Sequence, residues 1–265
     1  MSSKKYRLDL SFVGTPFKGW QSQAGGGTVQ DLITDALEAI GHEGKRPVGC
    51  SRTDAGVHAR AFTAHVACTF DRSPEAVLRG LNANLPPEIR VFGVRVLRVS
   101  FHARYDAASK AYRYFVYRDP VVPPPLHPFV SHWCGALHRQ ALEEAAAFFE
   151  GEHDYSAFTT AEGRKRETRR TVDRCAWTFG DALWTLEVRG RSFLHRQVRC
   201  MAGALLGVGS GRIDAGSLET ALSGGEAPPF PALPGRGLTL WDVQYPHAEY
   251  EEEYDSGMVP EGWPG

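Results

Sequence analysis

The sequence predicts an α+β fold: two similar α/β halves with mainly antiparallel sheets, joined around a central cleft. Stretches with period-two alternation of apolar residues are followed by amphipathic helical stretches, and this order occurs twice. The strand-like stretch SKAYRYFVYRD at 109–119 also repeats the alternating tyrosines and basic residues of KKYRLDLSF near the start. With 265 residues, 42% of them hydrophobic, the chain is long enough for one large domain or two small ones.

The first half, residues 1–105, is expected to have the order β-α-β-α-β. KKYRLDLSFVG alternates as a half-buried strand does, and TVQDLITDALEAIG has one apolar helical face with Thr28 as N-cap and Gly41 at the C-terminal cap. A strand at 62–70, the helix SPEAVLRGLNANLPP and the strand EIRVFGVRVLRVS follow. The loop SRTDAGVH lies between strands.

The second half, residues 106–246, begins with the strand at 109–119 and a proline-rich link, DPVVPPPLHP. A helix in HRQALEEAAAFFEG, strands near 171–179 and 182–190, and a helix in SFLHRQVRCMAGALLGVG come next. A short helix from Asp214 to Ser223 and the strand GLTLWDV complete this half. The acidic tail, residues 247–265, is expected to be a mobile extension.

Composition narrows the class of protein. No stretch approaches the roughly 18 apolar residues of a membrane span, and the start lacks a signal-peptide core, so a cytoplasmic protein is expected. The five cysteines are odd in number and never spaced C-x-x-C, which suggests neither a zinc site nor a disulfide framework. Seven of the 31 acidic residues follow Arg236, which leaves 24 acidic against 30 basic residues before it. Residues 1–236 therefore carry a formal net charge of +6, which favours a polyanionic partner.

Asp54, in the loop SRTDAGVH, is the candidate catalytic group. One interpretation of TDAG is a turn in which the aspartate bonds its own backbone. The other is an ionised carboxylate, acting as nucleophile or base, with its pKa lowered by an arginine. Arg199 heads a nearly uncharged helical run and is the candidate partner, although its side chain could instead extend to solvent. His58 and His65 have no companion at metal-binding spacing and are interpreted as structural.

Two further stretches suggest nucleic-acid binding. FHARYDAASKAYRY interleaves aromatic and basic residues, as in sites that stack and neutralise single-stranded nucleic acid, although strand tyrosines also serve as core residues. EGRKRETRRTVDR carries six basic residues, which suits a phosphate-binding loop or a solvated hairpin tip. Neither a G-x-x-x-x-G-K-[ST] loop nor a G-x-S-x-G elbow is present.

Six segments in order resemble the tRNA pseudouridine synthase A family. They are YRLDLSFVGTPFKGWQSQ, SRTDAGVHA, LNANLP, FHARYDAASKAYRY, FLHRQVRCMAG and GLTLWDVQYP. The resemblance covers nearly the whole body, and R-T-D-A-G-V-H in this chain order is highly specific. It implies the pseudouridine synthase fold and an isomerase that converts uridine to pseudouridine at positions 38, 39 and 40 of the tRNA anticodon stem-loop. It further implies a homodimer and no metal, nucleotide or redox cofactor.

The resemblance also implies residue roles. Asp54 would be the catalytic aspartate, Tyr112 the aromatic residue that packs on the target base, and Arg199 the ion-pair partner of Asp54. Arg52 would help to hold the base out of its helix. The implied RNA contacts are Arg72, Phe101, His102, Ala103, Arg104, Tyr105, Gly163, Arg164, Lys165, Arg166 and Glu167.

The chain departs from the family pattern at three places: Cys50 and Ser51 before R-T-D, Asp106 where a serine is usual, and Cys200 after V-R. An acid at 106 is expected to weaken binding to an RNA strand. Two other functions fit parts of the pattern. A non-catalytic RNA-binding module would use the same basic and aromatic residues, and a glycoside hydrolase would need a second carboxylate across the scissile bond.

Overall fold

The computed structural model describes residues 4–97, 101–227, 230–246, 250–255 and 262–264. The chain divides into two compact units, one of residues 1–108 with 240–263 and one of residues 109–239 with 264–265. The strands and helices in chain order are β1 (Lys4–Phe12), α1 (Val29–Ala39), β2 (Val48–Gly49), β3 (His58–Cys68), α2 (Pro74–Asn84), β4 (Ile89–Leu97), β5 (Ser109–Tyr117), β6 (Ser131–His132), α3 (Arg139–Ala147), β7 (Gly151–Asp154), β8 (Arg169–Phe179), β9 (Leu183–Gly190), α4 (Gln197–Gly209), α5 (Gly216–Leu222), β10 (Leu238–Gln244) and β11 (Tyr250–Asp255).

The first unit contains an antiparallel sheet in the order β11-β4-β1-β3, with the short β2 also paired to β3. The alternation in β1 places Tyr6, Leu8, Leu10 and Phe12 in the core. In α1 the Thr28 hydroxyl accepts a hydrogen bond from the Asp31 N–H, which confirms the predicted N-cap.

The second unit contains an antiparallel sheet in the order β5-β9-β8-β7, and β6 pairs in parallel with β5. Helix α4 is buried along nearly its whole length and packs on α3. A Cβ atom on Gly209 would lie 2.7 Å from the Leu142 side chain, so the two helices approach too closely for a larger residue. The predicted α+β class with mainly antiparallel sheets is confirmed. The cleft stays a prediction.

Helix α4 starts later than predicted. The sequence pattern suggested a helix from Ser192, but α4 begins at Gln197, after Arg196 with φ of +62°. Within the described residues, Arg196 is the only residue other than glycine with positive φ. A left-handed residue interrupts helical hydrogen bonding, so the preceding residues form a turn instead.

At the C-terminal end the structure differs from the prediction in two respects. Residues 240–246, assigned to the second half, belong to the first unit. Residues 250–255, assigned to a mobile tail, form β11, which pairs with the edge strand β4. The Glu253 carboxylate also accepts a hydrogen bond from Arg95 Nε at 3.2 Å. Edge strands present unpaired backbone groups, and β11 satisfies those of β4. The remaining tail residues, 247–249, 256–261 and 265, lie outside the described residues.

Within the described part of the chain, no helix is long and apolar enough to cross a membrane.

The segment after β1 lies directly against the SRTDAGVH loop. Trp20 N–H donates to the Thr53 carbonyl at 3.1 Å, and Gly56 N–H donates to the Phe17 carbonyl at 3.2 Å. Gly19 has φ of +90°, and a Cβ atom there would lie 2.3 Å from the Thr53 carbonyl oxygen. Only glycine fits this contact, because a side chain would be both strained and in collision with backbone.

We expect Gly19→Ala to destabilise the protein more than Gly25→Ala. Gly25 has φ of +87° and its Cβ atom would meet nothing closer than Lys18 Nζ at 4.0 Å, so its substitution adds backbone strain alone, about 1 kcal/mol. Gly19→Ala adds the collision as well, and should lower the free energy of unfolding by about 2 kcal/mol more. Urea denaturation of the two variants measures the difference. Equal losses would show that the loop moves away at no cost.

Candidate active site

Asp54 lies in a short loop between β2 and β3 in the first unit and is half-buried. The backbone carbonyl of Asp54 accepts a hydrogen bond from Val57 N–H at 3.2 Å, and Gly56 between them has φ of +74°. The turn is therefore closed through the main chain. Arg52, two residues earlier, is exposed.

The base of this loop is fixed by a buried histidine. His58, the first residue of β3, accepts a hydrogen bond at Nδ1 from Gly14 N–H at 3.0 Å. A Cβ atom on Gly14 would lie 2.0 Å from the Val57 carbonyl oxygen. The backbone on both sides of Asp54 is thus held by direct contacts with residues 14–20. This agrees with the prediction that His58 is structural.

Tyr112 and Arg199 lie in the second unit. Tyr112 is buried on β5 and packs edge-to-face against Phe193, with ring centroids 5.3 Å apart. Arg199 is half-buried on α4, which packs on β5, and its Nε donates to the Leu233 carbonyl at 2.6 Å. In turn, Leu233 N–H donates a hydrogen bond to the Arg199 carbonyl at 3.2 Å. The two hydrogen bonds connect Arg199 to the chain that follows α5. Its pairing with Asp54 stays a prediction.

The residues FHARY at 101–105, here called the FHARY segment, are held against the sheet of the first unit. Ala103 N–H donates to His65 Nδ1 at 3.0 Å, and the Ala103 carbonyl accepts a hydrogen bond from the Tyr245 hydroxyl. Lys5 Nζ donates to the Phe101 carbonyl. The interpretation of His65 as structural is therefore supported. Its role is to accept a backbone N–H, which the sequence pattern did not reveal.

Asp106, one of the departures from the family pattern, closes the turn of the FHARY segment. Its Oδ2 accepts the His102 N–H at 2.7 Å, and its own N–H donates to the His102 carbonyl at 3.0 Å. A carboxylate is well suited to accept a backbone N–H in such a turn. The acid at this position thus organises the segment.

Burial changes the pKa of two groups behind this segment. The pKa of His65 is lowered to about 4, chiefly by burial and in addition by the nearby Lys5 and His102, while Asp106 partly opposes the shift. Burial raises the pKa of the Tyr245 hydroxyl. Both groups are therefore neutral at pH 7, with His65 able to accept and Tyr245 able to donate.

A pocket of about 270 Å³ in the first unit brings several predicted RNA contacts together. It is called the Gln21 pocket here and is lined by Trp20, Gln21, Gln30, Val48, Gly49, Arg52, His102, Arg104 and Tyr105. Arg52, from the SRTDAGVH loop, thus lies with three residues of the FHARY segment. Sequence reasoning did not single out either glutamine, because they lie nine residues apart on different elements and carry no periodic pattern.

Arg72 and residues 163–167, also predicted RNA contacts, are not among the residues that line the Gln21 pocket. Arg72 is exposed before α2, and its guanidinium lies over the Phe70 ring at 5.4 Å. Gly163–Lys165 form a 3₁₀ turn in the second unit, with residues 164–167 exposed. Arg164 Nε donates to the Ser156 carbonyl at 2.9 Å, and Lys165 pairs with Glu162 at 2.8 Å.

Comparison with known proteins identifies relatives over most of the chain. The family model described as tRNA pseudouridine synthase matches residues 145–246. Proteins named tRNA pseudouridine synthase A are similar: that of Methylacidiphilum infernorum is 37% identical over 91% of this chain and 95% of its own length. Those of Chloroflexus aurantiacus and Neisseria meningitidis serogroup B are 38% and 37% identical, over 90% and 92% of this chain and 88% and 93% of their own lengths. A solved Cbf5-Nop10-Gar1 complex matches with a TM-score of 0.35 and 15% identity, over 76% of this chain and 45% of that chain.

We expect the stability of the protein to fall as the pH is lowered from about 6.5 to about 4, because of His65. Its pKa is 6.5 ordinarily and about 4 in the folded protein, so the unfolded chain binds more protons in this range. Between pH 7 and pH 5 this linkage lowers the free energy of unfolding by roughly 2 kcal/mol. His65→Gln keeps an acceptor for Ala103 N–H but does not titrate, so it should remove that part of the pH dependence.

Urea denaturation at both pH values measures the effect, with His127→Gln, a change at an exposed histidine, as the control. An unchanged pH dependence in His65→Gln would contradict the assignment.

Proposed function

Because the chain belongs to the tRNA pseudouridine synthase A family, whose members are isomerases, we propose that it converts uridine to pseudouridine in the anticodon stem-loop of tRNA, at positions 38, 39 and 40. Asp54 is the catalytic aspartate in this proposal, and it acts on a uridine that has left its stack. The observation that carries the proposal is the fixed, half-buried position of Asp54 between β2 and β3. A preorganised carboxylate needs no rearrangement at the moment of reaction.

The reaction breaks the bond between uracil N1 and ribose C1′ and forms a bond between C5 and C1′. Asp54 either attacks C1′ as a nucleophile or removes the C2′ proton. If Asp54 is the nucleophile, its bond to C1′ breaks as C5 bonds to C1′; if it is the base, the proton returns to C2′. The C5 proton then leaves and N1 takes up a proton, so that the product is an isomer of the substrate. The reaction therefore consumes no nucleotide and no redox equivalent, and the proposal includes no metal.

The surrounding residues have distinct proposed roles. Tyr112 packs on the target base, and the contact with Phe193 supports its ring in that position. The Tyr112 hydroxyl is also a candidate for proton relay late in the reaction. Arg199 balances the charge of Asp54, and its bond to the Leu233 carbonyl orients the guanidinium. Arg52 is exposed beside Asp54 and fills the place of the flipped base, which offsets an unstacking cost of a few kcal/mol.

We further propose that the protein is cytoplasmic, where its tRNA substrate is found, and that it acts as a homodimer. The FHARY segment and residues 163–167 supply the contacts to the tRNA backbone. Both are exposed in part and carry arginine or lysine side chains, as contacts with phosphate require.

We expect Asp54→Asn to abolish isomerisation while tRNA binding is retained. The amide has nearly the same shape but is neither a nucleophile nor a base, so turnover should fall by roughly a thousandfold or more. Tritium release from tRNA that contains 5-tritiated uridine measures turnover. Asp35→Asn, at an exposed aspartate on α1, is the matched control. If wild type releases no tritium, the protein is a binding module, and equal release by Asp54→Asn would disprove the role of Asp54.

We expect reversal of the three charges at Arg164, Lys165 and Arg166 to glutamate to weaken tRNA binding and to flatten its salt dependence. Each phosphate contact contributes about 0.9 to the slope of log K against log salt for duplex nucleic acid. The control reverses three exposed charges elsewhere, Lys45, Arg79 and Arg139, and so matches the change in net charge. Titrations of tRNA at several salt concentrations measure the affinity and the salt slope of the two triple variants. Equal slopes in the two variants would mean that residues 164–166 are only a solvated turn.

A further inference from the structure

We propose that the Gln21 pocket binds one unstacked nucleotide of the RNA substrate, in addition to the uridine that reacts at Asp54. This inference rests on the proposed function, since it takes RNA as the ligand. Among the residues that the structure describes, Asp54 does not line the pocket. The pocket would therefore select the substrate and set its position without taking part in the chemistry.

The first argument is the shape of the pocket and its exposed apolar walls. Its volume is about 270 Å³, which is slightly below the range of sites for drug-sized molecules and suits a single nucleobase. In the described ranges, the exposed large apolar residues are Val48, Tyr105 and Val121, and the first two line this pocket. Exposed apolar groups that converge on one concave surface indicate a binding site.

The floor of the pocket is rigid. Trp20 is buried and stacks on Phe62 with ring centroids 4.3 Å apart. A Cβ atom on Gly49 would lie 2.5 Å from Trp20 and 2.6 Å from Phe62, so the strand β2 touches the two rings directly. A floor built this way keeps its shape when the pocket is empty, which reduces the entropy lost on binding.

One wall offers planar groups for stacking. The rings of His102 and Tyr105 lie 4.2 Å apart with planes inclined by 32°, and the Arg104 guanidinium lies 5.8 Å from the centre of the Tyr105 ring. Proteins bind unpaired bases on such aromatic and guanidinium surfaces. Tyr105 is 65% exposed, so its ring has surface available to a base.

The lining also includes an amide, that of Gln21, whose orientation is fixed. Gln30 is buried, and its Oε1 accepts from Gln21 Nε2 at 2.7 Å and from Ser22 N–H at 2.8 Å. Gln30 Nε2 donates to the Pro47 carbonyl at 2.8 Å. These bonds use one Gln21 N–H and leave its second N–H beside its carbonyl oxygen. A donor next to an acceptor matches a base edge with one acceptor and one donor, which adenine and uracil both have.

The charge of the pocket suits a nucleotide. Arg52 and Arg104 line it and both are exposed, whereas none of the lining residues is a carboxylate. The Arg104 guanidinium can bind a phosphate next to the inserted base, and Arg52 adds positive charge to the site.

The test is a double-mutant cycle between the protein and the RNA. Semi-synthetic tRNAs that each lack one base, with an abasic ribose in a loop position, are titrated against wild type, Tyr105→Ala and Gln21→Leu. For wild type, one abasic position should weaken binding by about fivefold or more, as expected for loss of one stacked base. That same position should have less than a twofold effect in Tyr105→Ala, because the wall that binds the base is gone.

Two controls make the result specific. Gln23→Leu changes a nearby glutamine that lies outside the pocket and should keep the full effect of the abasic position. Tyr105→Phe keeps the aromatic ring and should therefore also keep the full effect of the abasic position. Coupling of one abasic position to both Tyr105 and Gln21 supports the proposal. Absence of such a position overturns it.

Tritium release by wild type is measured separately, so a failure of the pocket proposal is distinguishable from a failure of the proposed function. Isomerisation without coupling overturns the pocket alone. Coupling without isomerisation overturns the function and supports a pocket in an RNA-binding protein.

Discussion

The candidate active site depends on a direct contact between two stretches of backbone. Residues 14–20 lie against residues 53–57 with no side chain between them, because Gly14 and Gly19 occupy the closest points. Hydrogen bonds between the two stretches then fix the path of the chain on either side of Asp54. A loop of this length would otherwise lose conformational entropy on each binding event. Gly14 and Gly19 therefore help to position the Asp54 carboxylate, although they have no side chain that could take part in a reaction.

The FHARY segment is positioned differently, by hydrogen bonds with polar side chains. The side chains of His65, Tyr245 and Asp106 form hydrogen bonds with its backbone groups. Burial keeps His65 neutral, so its ring nitrogen accepts the Ala103 N–H. An unsatisfied backbone N–H at this buried position would be costly. The exposed side chains of the segment are thus presented from a rigid support.

Together, the backbone contact around Asp54 and the hydrogen bonds of the FHARY segment position the two stretches that line the Gln21 pocket. The SRTDAGVH loop contributes Arg52 to the Gln21 pocket, and the FHARY segment contributes His102, Arg104 and Tyr105. Both stretches are anchored on the same sheet, since β3 carries His58 and His65. One strand, β3, therefore supports both the SRTDAGVH loop and the FHARY segment.

The sequence by itself determined the elements whose signals are local. The alternation in β1, the Thr28 cap of α1 and the specific R-T-D-A-G-V-H loop were each recognisable from one short stretch of chain. The family was recognisable from six such segments in order. Only the tertiary structure decided which distant residues meet: Gln21 and Gln30 with Tyr105 in one pocket, Tyr245 with Ala103, and the acidic residues 250–255 with the edge of β4. The physical reason is that caps and periodic burial involve residues within a few positions of each other, whereas these contacts depend on how separate strands and loops are brought together by the packed sheet.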